Sequence, residues 1–351
     1  MADPIRFMAG PTSGDYELAL KMFWGSVVEA FRDQVVLFPW ADGEGGGNGP
    51  AVVDTKVIST GNSHQFLMMS DMPEAEEHIP GNRLEGQPFG IAEGTITVDG
   101  YLVQHAEVPN DQLRLSHFDV LGKLGRKLGY GLARKYDNRF FRLGVLAARS
   151  GIVSKDVDGT TLNIHNGGNR VERVNATVAG AFPVSSAGAR NFRDDAEALA
   201  ELMDNDFVPE EGRHLYITPY IRRILQQDTG IFDERFTRDI GDNSLNSRAI
   251  GKLAGFYIHP VAGRLPDTNV QSGLSKYRGN FTIAGTGQPV ALAMCEAADD
   301  TAGIGAVIAD GILPEMERDI RTSTTFMKAS ILCGAGIMHP WKTGVIEVDD
   351  S

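Results

Sequence analysis

An α+β fold organised around one very long helix is predicted, and three observations carry the prediction. From Asp119 to Ala148, Leu121, Leu124, Leu128, Leu132, Tyr136, Phe140, Leu143 and Ala147 recur at steps of three and four, one apolar stripe of a 3.6-residue helix. Separate runs, among them Val52 to Ser70, Thr95 to Val108 and Ile312 to Val348, carry strand patterns instead. The chain has 351 residues, 42% of them hydrophobic, enough for about two domains with real cores.

The long helix would span roughly 45 Å at 1.5 Å per residue. Ser116 supplies an N-cap, with the Asp119 carboxylate one turn in at the positive end of the helix dipole. Gly122, Gly125, Gly129 and Gly131 sit inside it and would cost an isolated helix about 4 kcal/mol relative to alanine. Packing has to offset that, and the first three share a face, which reads as a groove for the close approach of another backbone. The alternative is two shorter helices broken near Tyr130. Lys123, Arg126, Lys127, Arg134, Lys135, Arg139 and Arg142 make the helix basic, in a chain whose 33 Lys and Arg face 46 Asp and Glu, a net charge of -13.

That net charge argues against a sequence-independent nucleic-acid binder. Cys295 and Cys333 have apolar flanks and read as buried thiols of a reducing compartment, not a disulfide or metal pair. No leader-like apolar segment and no run approaching 18 apolar residues is present, so neither secretion nor a membrane span is expected.

In chain order, Asp15 caps a first helix to Gln34 with Leu20, Phe23, Trp24, Val27 and Phe31 on its apolar face. The glycine-rich run from Ala41 to Pro50 is a linker; it lacks the Lys-Ser or Lys-Thr and the strand-to-helix context of a phosphate loop. Val52 to Ser70 reads as a hairpin turning at Gly61-Asn62-Ser63, followed by an acidic stretch from Asp71 to Glu93 and a long return strand from Thr95 to Val108. A projecting two-stranded hairpin is marginal alone and needs a partner, expected to be another subunit. Gly151 to Val184 reads as loops and short strands without an assigned role. A helix from about Ala189 to Asp204 buries Phe192, Ala196, Leu199 and Met203. His214 to Thr218, Gly255 to Val261 and Pro289 to Cys295 are strands, with Pro219 opening a helix, and Ile312 to Val348 forms a closing sheet.

Motifs for catalysis are missing. There is no Walker loop, Gly-x-Ser-x-Gly elbow, His-Glu-x-x-His pair or complete Gly-x-Gly-x-x-Gly, and the eight histidines are scattered. Asp156-Val157-Asp158-Gly159 opens like a calcium loop but has no glutamate at the twelfth position, so it reads as a turn. No catalytic, cofactor or metal residues are assigned.

The segments together resemble the major capsid proteins of tailed bacteriophages, in particular short-tailed podoviruses of the T-seven type. The resemblance rests on Leu20, Lys21, Phe23, Gly25, Val27, Ala30 and Phe31 in the first helix, and on Ile58, Ser59, Gly61, Ser63, Gln65 and Phe66 in the hairpin. It continues through Pro80-Gly81, through Ile96, Thr97, Asp99, Gly100 and Leu102, and through Asp119, Val120, Leu128, Gly129, Leu132 and Ala133 of the long helix. It is good over about residues 18 to 148 and returns weakly at Gly255 and at His339, Pro340, Gly344 and Val345.

The resemblance implies the capsid fold named after phage Hong Kong 97. That fold places an N-terminal arm at 1–50, an extended hairpin loop at 51–98, a peripheral domain at 99–205 and 311–351 with the long helix as its spine, and an axial domain at 206–310. It implies self-assembly into hexamers and pentamers of an icosahedral shell in the virion, built in the host cytoplasm around double-stranded DNA on the inner face. Scaffolding and portal proteins, and a cement or decoration protein, are the implied partners; an enzyme or membrane role is not implied. In the family the extended loop lies over a neighbour's peripheral domain. The subunit interface is therefore assigned to Glu74, Glu76, Glu77 and Glu85 of the loop against Lys123, Arg126, Lys127 and Arg134 of the spine, with Gly122, Gly125 and Gly129 as its groove. Relatives that cross-link use a loop lysine and a neighbour's asparagine; here Lys56 is the only lysine in 51–98 and TTFMKASIL holds no asparagine, so no cross-link is expected. The alternatives are an encapsulin-like shell around cargo enzymes and an oligomeric hydrolase using Asp156 and Asp158 with a divalent metal.

Overall fold

Phe23, Val27, Ala30 and Phe31 recur at helical spacing and are all buried, so Ser13–Gln34 folds as helix α1 with that stripe inward. The computed structural model describes residues 13–37, 50–69, 77–78, 90–115, 119–157, 160–227, 251–296, 302–319 and 321–350. After α1 come β1 (Val53–Val57), β2 (Ser63–Met69), β3 (Ile91–Thr97), β4 (Gly100–Pro109), α2 (Asn110–Leu115) and the spine α3 (Val120–Ala148). Then follow β5 (Val153–Val157), β6 (Thr160–His165), β7 (Asn169–Val174), α4 (Val178–Ala181), α5 (Ser186–Asn205), β8 (Arg213–Ile217) and α6 (Pro219–Leu225). The chain closes with β9 (Lys252–Leu253), β10 (Phe256–Pro260), β11 (Gln288–Cys295), β12 (Ile304–Asp319), β13 (Thr324–Ile337) and β14 (Thr343–Asp349).

The spine is one unbroken helix of 29 residues, without a break at Tyr130. Its N-cap is Asp119 itself, whose carboxylate accepts from the Gly122 amide at 2.9 Å; Ser116, the expected cap, lies outside the described residues. Two sheets flank it. The first runs in the order β1-β12-β13-β4, with β1 parallel to β12 and the rest antiparallel. Alternate residues of β13, Met327, Ala329, Ile331 and Cys333, enter the core shared with the spine. The second sheet runs β7-β14-β11-β8-β10-β9. Its central strands are buried on both faces: Tyr216, Leu292 and Val345 meet the spine core, while Leu215, Ile217, Ala291 and Ile346 join α5 and α6 in a second core. Such strands read as continuous apolar runs, which is why HLYIT and PVALAMC were legible. Pro219 opens α6, as expected, while Thr218, expected as the last strand residue, is the helix cap.

Several expectations are corrected. Val52 to Ser70 is not a hairpin: β1 pairs with β12, Val53 opposite Ile304, and β2 pairs with β3, Ser63 opposite Thr97. Val52 and Val53 are buried in the spine core, and the open edge of the first sheet is where they can be buried. Thr95 to Val108 is two strands, because Gly100 at φ +125° turns the chain between β3 and β4. The last segment of the predicted closing sheet, β14, leaves for the second sheet, where all seven of its residues are buried. Trp24 is 47% exposed, one helical step away from the buried stripe. Helix α1 begins at Ser13, not Asp15, and α5 begins at Ser186, not Ala189. Helix α5 shares its core with β8, β11 and β14.

Candidate subunit interface

The two long sides of the spine are chemically different. On one, α1 lies alongside in the same direction: a β-carbon at Gly125 would fall 2.2 Å from the Ser26 hydroxyl, and one at Gly129 would fall 2.4 Å from the Val27 carbonyl oxygen. The expected groove exists and receives a backbone, that of the chain's own first helix. At Gly122 the β-carbon position is taken by the Asp119 cap. On the other side Lys123, Arg126, Lys127, Tyr130 and Arg134 are exposed and lie within about 100° of helix arc at 3.6 residues per turn. Further along, Arg139 turns inward and stacks 5.4 Å from the Tyr277 ring centroid.

Of the loop carboxylates, Glu77 is exposed; Glu74, Glu76 and Glu85 lie outside the described residues, as does most of the acidic stretch. The hairpin β2–β3 that carries them crosses the first sheet on a track of glycines. A β-carbon at Gly334 would meet the Thr97 carbonyl oxygen at 2.0 Å, and those at Gly336 and Gly305 would meet Ile96 at 2.8 and 2.5 Å. Phe66, Ile96, Val307 and Met338 form a small core beneath it. Its root is clasped at Asp99, which is bonded by the Tyr277 hydroxyl at 2.5 Å and paired with Lys276. Lys276 also donates to the Ala335 carbonyl at 2.6 Å. Burial, with the Asp99 bond, pushes the Tyr277 phenol well above its usual range.

Two buried carboxylates tie the spine to its surroundings. Asp137 accepts from Arg264 at 2.6 Å and from the Val36 amide at 3.5 Å, and Arg264 also donates to the Gln34 carbonyl at 2.6 Å. One pair therefore locks the end of α1, the spine and the segment after β10. Burial pushes Asp137 up to about 6, with Arg264 pulling the other way. Glu347 joins Arg149 at the spine's end to Arg170 of β7, and burial raises it as well.

Sequence reasoning missed the Asp99 clasp, the Asp137 lock and the glycine track, although Gly334 and Gly336 two apart in a strand were a signal, since they share one face. It also missed that β8 and β10 bring His214 Nδ1 within 2.9 Å of His259 Nε2, with Glu296 3.0 Å from the other His214 nitrogen. Both cysteines are free and buried, and burial pushes Cys295 up to about 11 and Cys333 up to about 12. Asp156 lies in β5 opposite Thr161, while Asp158 is outside the described residues. Among the described residues no three His, Cys, Asp or Glu side chains are placed to hold a metal ion.

A family model described as Gp10A-like, major capsid protein, matches residues 65–347. The capsid structure of the cyanophage P-SCSP1u is similar, 23% identical over 90% of this chain and 93% of that one, with a TM-score of 0.67. The mature capsid of bacteriophage PhiM1 is 16% identical over 85% and 86%, with a TM-score of 0.66. The capsid of Ralstonia phage GP4 is 13% identical over 84% and 86%, with a TM-score of 0.54. No curated protein matches. A spine between two sheets, a hairpin laid across one of them and this family match lead to one conclusion: the chain belongs to the Gp10A-like major capsid protein family and has the Hong Kong 97-like capsid fold.

Proposed function

We propose that copies of this chain close as hexamers and pentamers into the icosahedral head of a short-tailed phage, around packaged double-stranded DNA. The acidic loop of one copy, Glu74, Glu76, Glu77 and Glu85, lies on the basic spine face of the next. The observation that carries this is the exposed stripe of Lys123, Arg126, Lys127 and Arg134 on a helix whose other side is filled from within the chain. The chain's 46 Asp and Glu against 33 Lys and Arg supply the carboxylates such a stripe needs. Exposed pairs contribute only about 0.2–1 kcal/mol each and are screened by salt, so the contact acts as a network repeated around a capsomer. Assembly takes place in the host cytoplasm with scaffolding and portal proteins, and a cement or decoration protein binds the finished shell. The role is structural, not catalytic. The family match favours a phage head over a cargo-enclosing shell.

The test is electron microscopy of the protein alone and coexpressed with the neighbouring scaffold gene. Hollow shells of uniform size are expected; a small closed oligomer under both conditions overturns the reading. Reversing Arg126, Lys127 and Arg134 to glutamate is expected to stop capsomer formation, and normal shells from that variant would hand the basic face to packaged DNA. Lys56 lies in β1 opposite Val307, in the first sheet and not on the projecting hairpin. Mature particles are therefore expected to run as monomers on a denaturing gel, and a ladder of covalent multimers would refute this.

A further inference from the structure

Helix α5 ends in a turn that satisfies two of its carbonyls: the Phe207 amide donates to Asp204 and the Val208 amide to Met203, each at 3.0 Å. The turn needs a left-handed residue, and Phe207 takes that conformation at φ +56°. Glycine adopts it without steric cost, and any side chain is disfavoured there. This one is disfavoured twice. The Phe207 ring is 92% exposed, more than any other large apolar side chain among the described residues. Backbone strain and a bare aromatic ring coincide where neither helps the subunit, so the residue is explained by something outside it.

The sequence around the ring, Asp204, Asp206, Glu210 and Glu211, calls for a partner offering apolar surface and positive charge. The same end of the second sheet displays both. Lys252 of β9 lies 4.1 Å over the Tyr257 ring of β10, and Tyr257 is 40% exposed. Tyr257 pairs with His214 at the start of β8, and the neighbouring Arg213 binds the Asp204 carboxylate and the Val208 carbonyl on either side of Phe207. An acidic segment with an aromatic anchor and a lysine held over an aromatic floor, both carried by one end of the body, are complementary between copies of this chain.

We propose that Phe207 is an assembly anchor, seated on the Lys252–Tyr257 pair of a neighbouring copy of this chain. This rests on the shell reading above. Phe207→Gly separates anchor from fold. The melting temperature of the unassembled variant is expected to stay level or rise, since glycine relieves the turn, while the yield of closed shells in sedimentation and microscopy falls about tenfold or more. Lys252→Glu is expected to lower the yield comparably at unchanged melting temperature. Wild-type yield from either variant overturns the proposal. So does a melting temperature lowered by several degrees in Phe207→Gly, which would put the ring's work inside its own subunit. Wild-type protein that forms no shells in the same runs refutes the shell reading, and the anchor with it.

Discussion

The packed and the exposed sides of the spine helix are made from the same stretch of sequence and do opposite jobs. On the packed side glycine removes side chains so that α1 can lie against the backbone, and Asp137 fixes the end of that contact. On the exposed side Lys123, Arg126, Lys127 and Arg134 reach the surface. The comparison teaches that glycines and cations on one helix need not describe one interface. Here the glycines serve the subunit's own packing, while the cations face outward.

The largest expected effect is on the packed side. Asp137→Ala leaves the Arg264 guanidinium buried without its counter-charge and is expected to cost about 3–5 kcal/mol in denaturant unfolding at neutral pH. Its pH dependence has a definite sign. Because burial raises Asp137 from 3.8 to about 6, the folded state holds a proton that the unfolded state has released in that window. This residue's contribution is complete below the unfolded value and declines as pH rises through about 6, a slope that Asp137→Asn should remove.

The hairpin root gives a smaller effect: Tyr277→Phe loses a hydrogen bond to a carboxylate and is expected to cost about 1.5–3 kcal/mol. The glycines form a graded series. At Gly129 an added methyl meets a carbonyl oxygen that cannot swing away, so overpacking of about 1–3 kcal/mol outweighs the roughly 1 kcal/mol helix gain of alanine. At Gly125 the nearest atom is the rotatable Ser26 hydroxyl, and Gly125→Ala should cost less. At Gly25 nothing lies within 4 Å, and Gly25→Ala should stabilise by up to about 1 kcal/mol. Melting curves in the order 129, 125, 25 check the ranking; a flat series would mean that close approach of α1 does not constrain the spine glycines. The smallest change in subunit stability, within about 0.5 kcal/mol per residue, is expected for glutamate at Arg126, Lys127 and Arg134, the substitutions expected to stop assembly.

Local patterns carried most of the elements. The stripes of α1, α3 and α5, the Pro219 start of α6 and the doubly buried runs of β8 and β11 all follow from side-chain period, proline geometry and hydropathy, which neighbouring residues determine. The cationic face of the candidate interface was legible for the same reason. Strand partners were not. A β-run states which face is apolar but not which edge it joins, so β1 could be read into a hairpin with β2 although its partner begins at Ile304, far along the chain. Asp99, Phe207 and the Asp137–Arg264 lock were invisible because each depends on a φ angle or on a residue distant in sequence.

The sequence by itself determined the spine and its glycines, the charge asymmetry and the capsid resemblance, since these depend on local spacing and residue type. Only the tertiary structure decided that the glycine groove is filled from within, that β14 belongs with β11, and that the hairpin is rooted at Asp99. Those are long-range choices, settled by which apolar faces and buried charges can be satisfied together once the whole chain is collected around the helix.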